Sequence, residues 1–313
     1  MLRGMVLIIA ALSLAGGQPS GGEPGVNDGQ PAPLGNEPES AAPGLAERLP
    51  IIEYHTPDFQ MRGELQMTPA WFEEQLAWLD ASGFTAVSSA ELADFVAGKT
   101  RPPARSVALT FDIGGPGFAG YETVIIPALR RHHLRAIFFI QASRIRDVCD
   151  GQTACWTTLR EWLAEGLISA ESHTLFHQDY LTLSPEQIAY DAGRSKALIE
   201  ARLGTTVIGL SYPFDSANPA AFPILASLGY RYAVAGHTRA ERSALFGDPE
   251  PFRLPRYYPY SSPGLYPVLA GSRGRTFGAL MLDSIRAVEP ALLPGQAERG
   301  WPAPPGGRGQ VWR

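Results

Sequence analysis

Between residues 49 and 258, short apolar runs alternate with stretches whose apolar residues recur every three or four positions. The runs read as strands: Leu49 to His55, Phe84 to Val87, Ser106 to Phe111, Ala136 to Gln141, Leu167 to Ser172, Val207 to Ser211, Tyr230 to Ala235 and Phe252 to Tyr258. The periodic stretches read as helices with recognisable ends. Thr68-Pro69 opens one, with Trp71, Phe72, Leu76 and Leu79 as its apolar stripe and Gly83 as its stop. Ser88 with Glu91 forms a capping-box pattern for a helix reaching Gly98. Tyr121 to His133, Thr157 to Glu165 and Pro219 to Leu228 are further helices, and Ser184-Pro185 with Gln187 opens a long one to Leu203, stopped by Gly204. Strand and helix alternate every 25–40 residues or so, which predicts parallel strands with helical crossovers. Roughly seven strands suit a (β/α) barrel better than an open sheet, and chemistry then belongs at the strands' carboxyl ends.

Composition changes the picture mainly at the chain ends. The 313 residues include 33 Gly and 28 Pro, and much of that excess lies outside the periodic region. Residues 16–48 hold 8 Gly and 6 Pro, and residues 290–313 hold 5 of each. Such segments bury too little apolar surface to offset their ordering entropy. Met5 to Ala15 is an apolar run behind Arg3, with small Ser13 and Ala15 before Gly16, the pattern of an export signal. An uncleaved anchor or a buried helix is the alternative. The expected organisation is a signal peptide over 1–15, a linker over 16–48, a catalytic-type domain over 49–260, and a C-terminal extension over 261–313 with a short helix and a Pro/Gly-rich tail. An apolar content of 45% excludes global disorder, and a net charge of −5 argues against a dedicated nucleic-acid binder. Two cysteines exclude a four-cysteine zinc module. In an exported chain Cys149 and Cys155 should pair, a small ring contributing roughly 2 kcal/mol; in a chain that stays in the cytosol they would be free thiols.

The chemistry-bearing residues cluster at strand ends. Asp112 follows SVALTF, and His173 and His177 follow LISAES within SHTLFH. Two histidines four apart on a turn can address one metal ion, and a carboxylate beside it can take a proton from water. Each signal alone also fits a blander reading: two unrelated histidines, and a turn or cap aspartate.

Together with LPIIEYH, TPAWFEEQLAWLDASGFTAVSSAEL, ALTFDIGGPG, IIPALRRHHLRAIFFI, LSYPFDSAN, SLGYRYAVA and LPRYYP, these segments resemble, in order and spacing, the polysaccharide deacetylases, carbohydrate esterase family four. The variant resembled is the exported branch that modifies adhesin polysaccharides. The resemblance runs from about Leu49 to Tyr258. It implies an irregular (β/α)7 barrel that removes acetyl groups from N-acetylated sugar polymers, with a polysaccharide partner and a divalent metal, Zn²⁺ being the expected ion. Carried over, Asp112 is the catalytic base that takes a proton from metal-bound water, His173 and His177 are metal ligands, and the Phe214 N–H in the Tyr-Pro motif serves the oxyanion. Tyr54, His55 and Tyr212 are expected to line the substrate groove. No Leu-x-His motif supplies the family's general acid; His237 lies nearest that region.

One departure matters. The family's first motif reads Thr-Phe-Asp-Asp-Gly, and its second Asp, a metal ligand, is Ile113 here. A hydrocarbon cannot ligate a cation. Either a replacement carboxylate (Asp112, Asp179 or Asp215) completes the site, or the chain is a pseudoenzyme that holds glycan without turnover. Ser211 stands where many members place an Arg that pairs with the base, and Asp215 stands where Gly is common. Trp71, Trp156 and Trp162 read as core, and Arg130, Arg131, His132 and His133 as a solvated helix end favoured by the helix dipole.

Overall fold

The computed structural model describes residues 44–55, 69–114, 118–149, 154–236 and 243–257. Seven parallel strands form the barrel: β1 Ile51–Tyr54, β2 Ser106–Ile113, β3 Ala136–Ile140, β4 Ile168–Ser172, β5 Gly209–Ser211, β6 Tyr232–Ala235 and β7 Leu254–Pro255. Their spatial order is their chain order, and every neighbouring pair is parallel. The first and last strands meet through a parallel bridge between Ile52 and Tyr257. There Glu53 N–H donates to the Tyr257 carbonyl and Tyr257 N–H to that of Ile51, both at 2.8 Å. The result is the expected seven-stranded, nearly closed barrel.

The weakest seam is between β4 and β5, where only Ser172 and Leu210 are in register. Glu171 closes it from inside: its Oε2 accepts from the N–H groups of Ile208 at 2.7 Å and Gly209 at 2.6 Å. Gly209 has no alternative, because a Cβ there would collide with the Tyr232 ring that fills the interior.

Crossover helices include α1 Pro69–Ala81, α2 Ser89–Val96, α3 Ile126–Arg131, α4 Ala142–Cys149, α5 Ala154–Ala164, α6 Pro185–Leu203 and α7 Ala221–Ser227. Both predicted capping boxes, Ser88 with Glu91 and Ser184 with Gln187, form, and Gly204 ends α6 at φ 66°. The helix expected from Tyr121 begins at Phe118 and passes through a π-turn over Tyr121–Ile125 before α3. Pro127 follows directly; lacking an N–H, it cannot complete a regular i→i−4 ladder there. Helix α4 has no capping signature and was not expected.

Strand parity sorts the core into two shells. Inside the barrel are Ile51, Ala108, Ile137, Phe139, Val234 and Leu254. Between strands and helices lie Tyr54, Phe72, Phe111, Phe138 and Trp162, linked by ring contacts at 5.0–6.3 Å. Trp156 and Trp162 are buried as expected, whereas the side chain of Trp71 lies outside the described residues. Arg130 and Arg131 pair with Glu165 and Glu73 at the end of α3, and His132 lies between Glu73 and Asp80. Among the described residues no helix is long and apolar enough to cross a membrane. The expected signal peptide, the linker up to residue 43, His237 and the C-terminal extension lie outside the described residues.

Candidate functional site

The carboxyl ends of the strands point a polar layer into the barrel. Glu53 on β1, Asp112 on β2, His173 just past β4, Ser211 on β5 and Arg256 just past β7 all share the inward parity. His173 N–H bonds the Ile140 carbonyl at 2.8 Å and Arg256 N–H that of Ala235 at 3.0 Å, so both continue the ladder beyond the strand proper.

Arg256 is the hub of this layer, and it is 1% exposed. Its Nη1 and Nη2 donate to Asp112 Oδ1 and Oδ2, both at 2.9 Å. Nη2 also donates to Asp215 Oδ1 at 3.1 Å. Nε lies 3.0 Å from Glu53 Oε2, an ion pair off the hydrogen-bond line. Ser211 Oγ donates to Asp112 Oδ2 at 3.0 Å. Burial by itself would raise the Asp112 pKa; the Arg256 charge overrides it and holds the carboxyl well below the usual carboxylate range. Burial likewise works against the Arg256 charge, but Asp112, Glu53 and Asp215 together keep the guanidinium protonated. A forked guanidinium also fixes carboxylate orientation, which a lysine could not do. The expectation had placed Ser211 where a base-pairing Arg is common; the structure supplies that arginine from the opposite edge of the chain's strand order. LPRYYP contained it, but no local pattern tied Arg256 to Asp112.

His173 is buried, and burial pushes its pKa down to about 4. It is therefore neutral near pH 7. Its Nδ1 lies 3.0 Å from the Ser211 carbonyl, which can only accept, so the proton sits on Nδ1. The Nε2 lone pair is left facing Asp112 Oδ2 at 3.8 Å. His177 packs edge-on against His173, with ring centroids 4.8 Å apart. The loop between them has left-handed backbone at Thr174 (φ 65°) and His177 (φ 56°). Three buried side chains hold it: Ser172 Oγ accepts from Thr174 N–H, Thr174 Oγ1 from His177 N–H, and Asp191 of α6 from Leu175 N–H, Phe176 N–H and Tyr180 O–H. Asp191 is a positioning residue that sequence reasoning missed. Its spacing of 14 residues from His177 carries no motif.

The third wall is the turn Tyr212–Ser216. Phe214 (φ 57°) and Asp215 (φ 56°) are consecutive non-glycine residues in the left-handed region, where each costs about 1–2 kcal/mol. The Phe214 ring is 68% exposed and stands edge-on to His177 at 4.8 Å. Its N–H has no acceptor among the described residues.

The structure thus brings together Asp112, His173, His177 and Phe214, with His55 half-buried at the rim, its Nε2 3.7 Å from Glu53 Oε1. Two groove assignments are corrected. Tyr54 is 1% exposed, faces the outer shell and donates its hydroxyl to Gln75 at 2.9 Å. Tyr212 is fully buried against Tyr180. Both occupy outward parity positions, so neither side chain can touch substrate. Ile113 is also outward, packed in the aromatic shell. Of the replacement carboxylates, Asp179 caps the short helix Tyr180–Thr182 by accepting from Leu181 N–H at 2.9 Å, and Asp215 is bound to Arg256.

Among the described residues, one group brings three metal-type donor atoms within 4.8 Å of one another: Glu53, His55 and Asp112. Arg256 already grips both of those carboxylates, so the cation between them is the guanidinium. His173 keeps an Nε2 lone pair toward Asp112 and His177 packs against it, but among the described residues these three do not form such a group.

Residues 99–233 match the family model for polysaccharide deacetylases. A Bacillus subtilis protein described as a polysaccharide deacetylase, YxkH, is 24% identical over 190 residues, 60% of this chain and 64% of that protein, so the chain spans a little under two thirds of that relative. Among solved structures, the Streptococcus pyogenes deacetylase PplD in complex with acetate is similar with TM-score 0.59 and 21% identity, over 67% of this chain and 91% of that one. IcaB from Ammonifex degensii is similar with TM-score 0.56 and 22% identity, over 74% of this chain and 98% of that one. A de-N-acetylase from Aggregatibacter actinomycetemcomitans is similar with TM-score 0.56 and 21% identity, over 67% and 94%. At such identities the structural likeness speaks to the fold alone; the segment that matches the polysaccharide deacetylase model, residues 99–233, carries Asp112, His173, His177 and Phe214.

Proposed function

We propose that this chain is an exported hydrolase that removes acetyl groups from N-acetylated sugar polymers. The observation that carries the reading is the contiguous set formed by Asp112, His173, His177 and Phe214 at the open end of the barrel. A divalent cation, held by His173 and His177 with Asp112 beside them, supplies Lewis acidity toward the acetamide carbonyl when bound. Asp112 accepts the proton of the attacking water, and Arg256 with Ser211 keeps its carboxylate ionised and aimed. The same grip lowers its basicity, so Asp112 is a weak base that stays available into acid. The Phe214 N–H donates to the developing oxyanion. Water's oxygen ends on acetate, and the proton taken up by Asp112 is passed on to the departing sugar amine. Acetate release from N-acetylglucosamine oligomers tests this. Asp112→Asn should abolish release while the variant still folds, with a lowered thermal midpoint because Arg256 loses a buried anionic partner; undiminished turnover would refute the base assignment.

Ile113 favours a second reading, a barrel that holds glycan without turnover. It predicts oligomer binding with no acetate release and indifference to chelators. Calorimetric titration of the metal-stripped protein with Zn²⁺ separates the two: the hydrolase takes up one ion and loses it in His173→Ala, whereas the silent barrel takes up none. The apolar run Met5–Ala15 supports export. Pairing of Cys149 with Cys155 belongs to the same proposal; Cys155 is buried and no free cysteine occurs among the described residues, while the side chain of Cys149 lies outside them. A mass gain of two hydrogens on reduction would check it.

A further inference from the structure

The turn carrying Phe214 is held in a conformation that its own residues disfavour, and the holder is the arginine that grips the base. Phe214 and Asp215 are both left-handed, at φ 57° and 56°. Such backbone persists only where the surroundings over-determine it. The local hydrogen bonds of the turn are long: Asp215 N–H to the Tyr212 carbonyl and Ser216 N–H to that of Pro213, each 3.2 Å, Ala217 N–H to that of Asp215 at 3.1 Å, and Ser216 Oγ to that of Phe214 at 3.3 Å. The stronger tie is Asp215 Oδ1 to Arg256 Nη2 at 3.1 Å. Gly236, on the next strand end, leaves the space this carboxylate uses: a Cβ there would come within 2.5 Å of Asp215 Oδ2.

We propose that Asp215 is a positioning residue. It latches the Phe214 turn to Arg256, so that the exposed Phe214 ring and its free N–H stay against His177 in register with Asp112. One guanidinium thereby sets both the base and the substrate-facing wall. The ring then serves as an apolar platform for a sugar face, and the inference rests on the glycan-processing reading for that part alone.

The rival account is that Asp215 is merely a residue that tolerates left-handed backbone. Asn tolerates it equally and Gly better, yet neither pairs with Arg256 as an anion. Amide exchange of Asp215 and Ser216, followed by NMR in the full chain, separates the accounts. The latch predicts at least tenfold faster exchange at these two amides in both Asp215→Asn and Asp215→Gly, well beyond any change at the amides of the barrel strands. Parent-like exchange in Asp215→Asn overturns it. Binding of an N-acetylglucosamine pentamer by calorimetry is the second arm. Affinity should fall about tenfold in Asp215→Asn, and where acetate release is measurable KM should rise and kcat fall together, because the Phe214 ring and its N–H are displaced as one. Equal affinity in parent and variant overturns the positioning role. A parent that binds no pentamer overturns the sugar platform, while the exchange arm still decides the latch.

Discussion

Asp112 and Ile113 are consecutive on β2 and live in opposite surroundings. Asp112 faces a layer of charge in which Glu53, Asp112 and Asp215 share Arg256. Ile113 faces the apolar shell of Phe111, Tyr121 and Phe138. The same division separates Glu53 from Tyr54 and Ser211 from Tyr212. Inward positions near the strands' carboxyl ends carry chemistry and are held by ion pairs; outward positions carry stability and are held by burial. The contrast also recasts the missing metal ligand. As long as β2 stays extended through residue 113, the side chain there belongs to the outer shell whatever its chemistry.

The largest break in this comparison is Arg256→Met. It keeps side-chain volume but strands the buried carboxylates, and removing one partner of a buried ion cluster typically costs about 3–5 kcal/mol. Urea unfolding at pH 7 should show that loss, and a change below about 1 kcal/mol would mean that the acids repack or neutralise without cost.

Next is Ile113→Asp. On a simple reading it restores a metal ligand. On the parity argument it buries a carboxylate in hydrocarbon, at a cost of about 3 kcal/mol or more, with no gain in Zn²⁺ affinity. Tighter Zn²⁺ binding at unchanged stability would show that the strand end can turn inward.

Glu171 sharpens the inner face by pH. Burial pushes its pKa up to about 7, with Ser89 and the Gly209 and Ile208 amides working against that shift. The folded pKa exceeds the unfolded one, so the contribution is fully present below about pH 4.5 and is lost as pH rises through about 7. On the order of 3 kcal/mol should disappear between pH 4 and 9 in the parent. Glu171→Gln should flatten that dependence in denaturant midpoints taken across the range.

The smallest effect belongs to Tyr212→Phe. The hydroxyl is buried with no partner among the described residues. Removing it should change stability by less than about 1 kcal/mol, in either direction, and leave oligomer affinity untouched. A loss of affinity would return Tyr212 to the groove.

Much of this was legible in the chain, because local rules act there alone. Ser88 with Glu91 and Ser184 with Gln187 announce helix starts through bonds three residues apart. SVALTF and AIFFIQ announce buried strands through composition. Asp112, His173 and His177 could be placed at one barrel end because parallel strands share a direction. Three features were not legible. Arg256 reaches Asp112 across 144 residues. Asp191 supports the histidine loop from another element. Tyr54 and Tyr212 read as groove residues because an aromatic at a strand end suits either face. Which face it takes depends on where the strand stops alternating, and that is set by partners distant in sequence.

The order of elements and the placing of Asp112, His173 and His177 at one end of the strands were therefore determined by the sequence by itself, through period, capping and strand-end position, while their expected roles came from the family resemblance. Only the tertiary structure decided which of two adjacent residues faces the barrel interior, that the cation paired with Asp112 comes from just past the last strand, and that the Phe214 turn is tied to that same cation. Those outcomes depend on the parity of pleated strands and on charge pairing in a water-poor interior. Both are properties of the closed barrel and are written in no single segment of the chain.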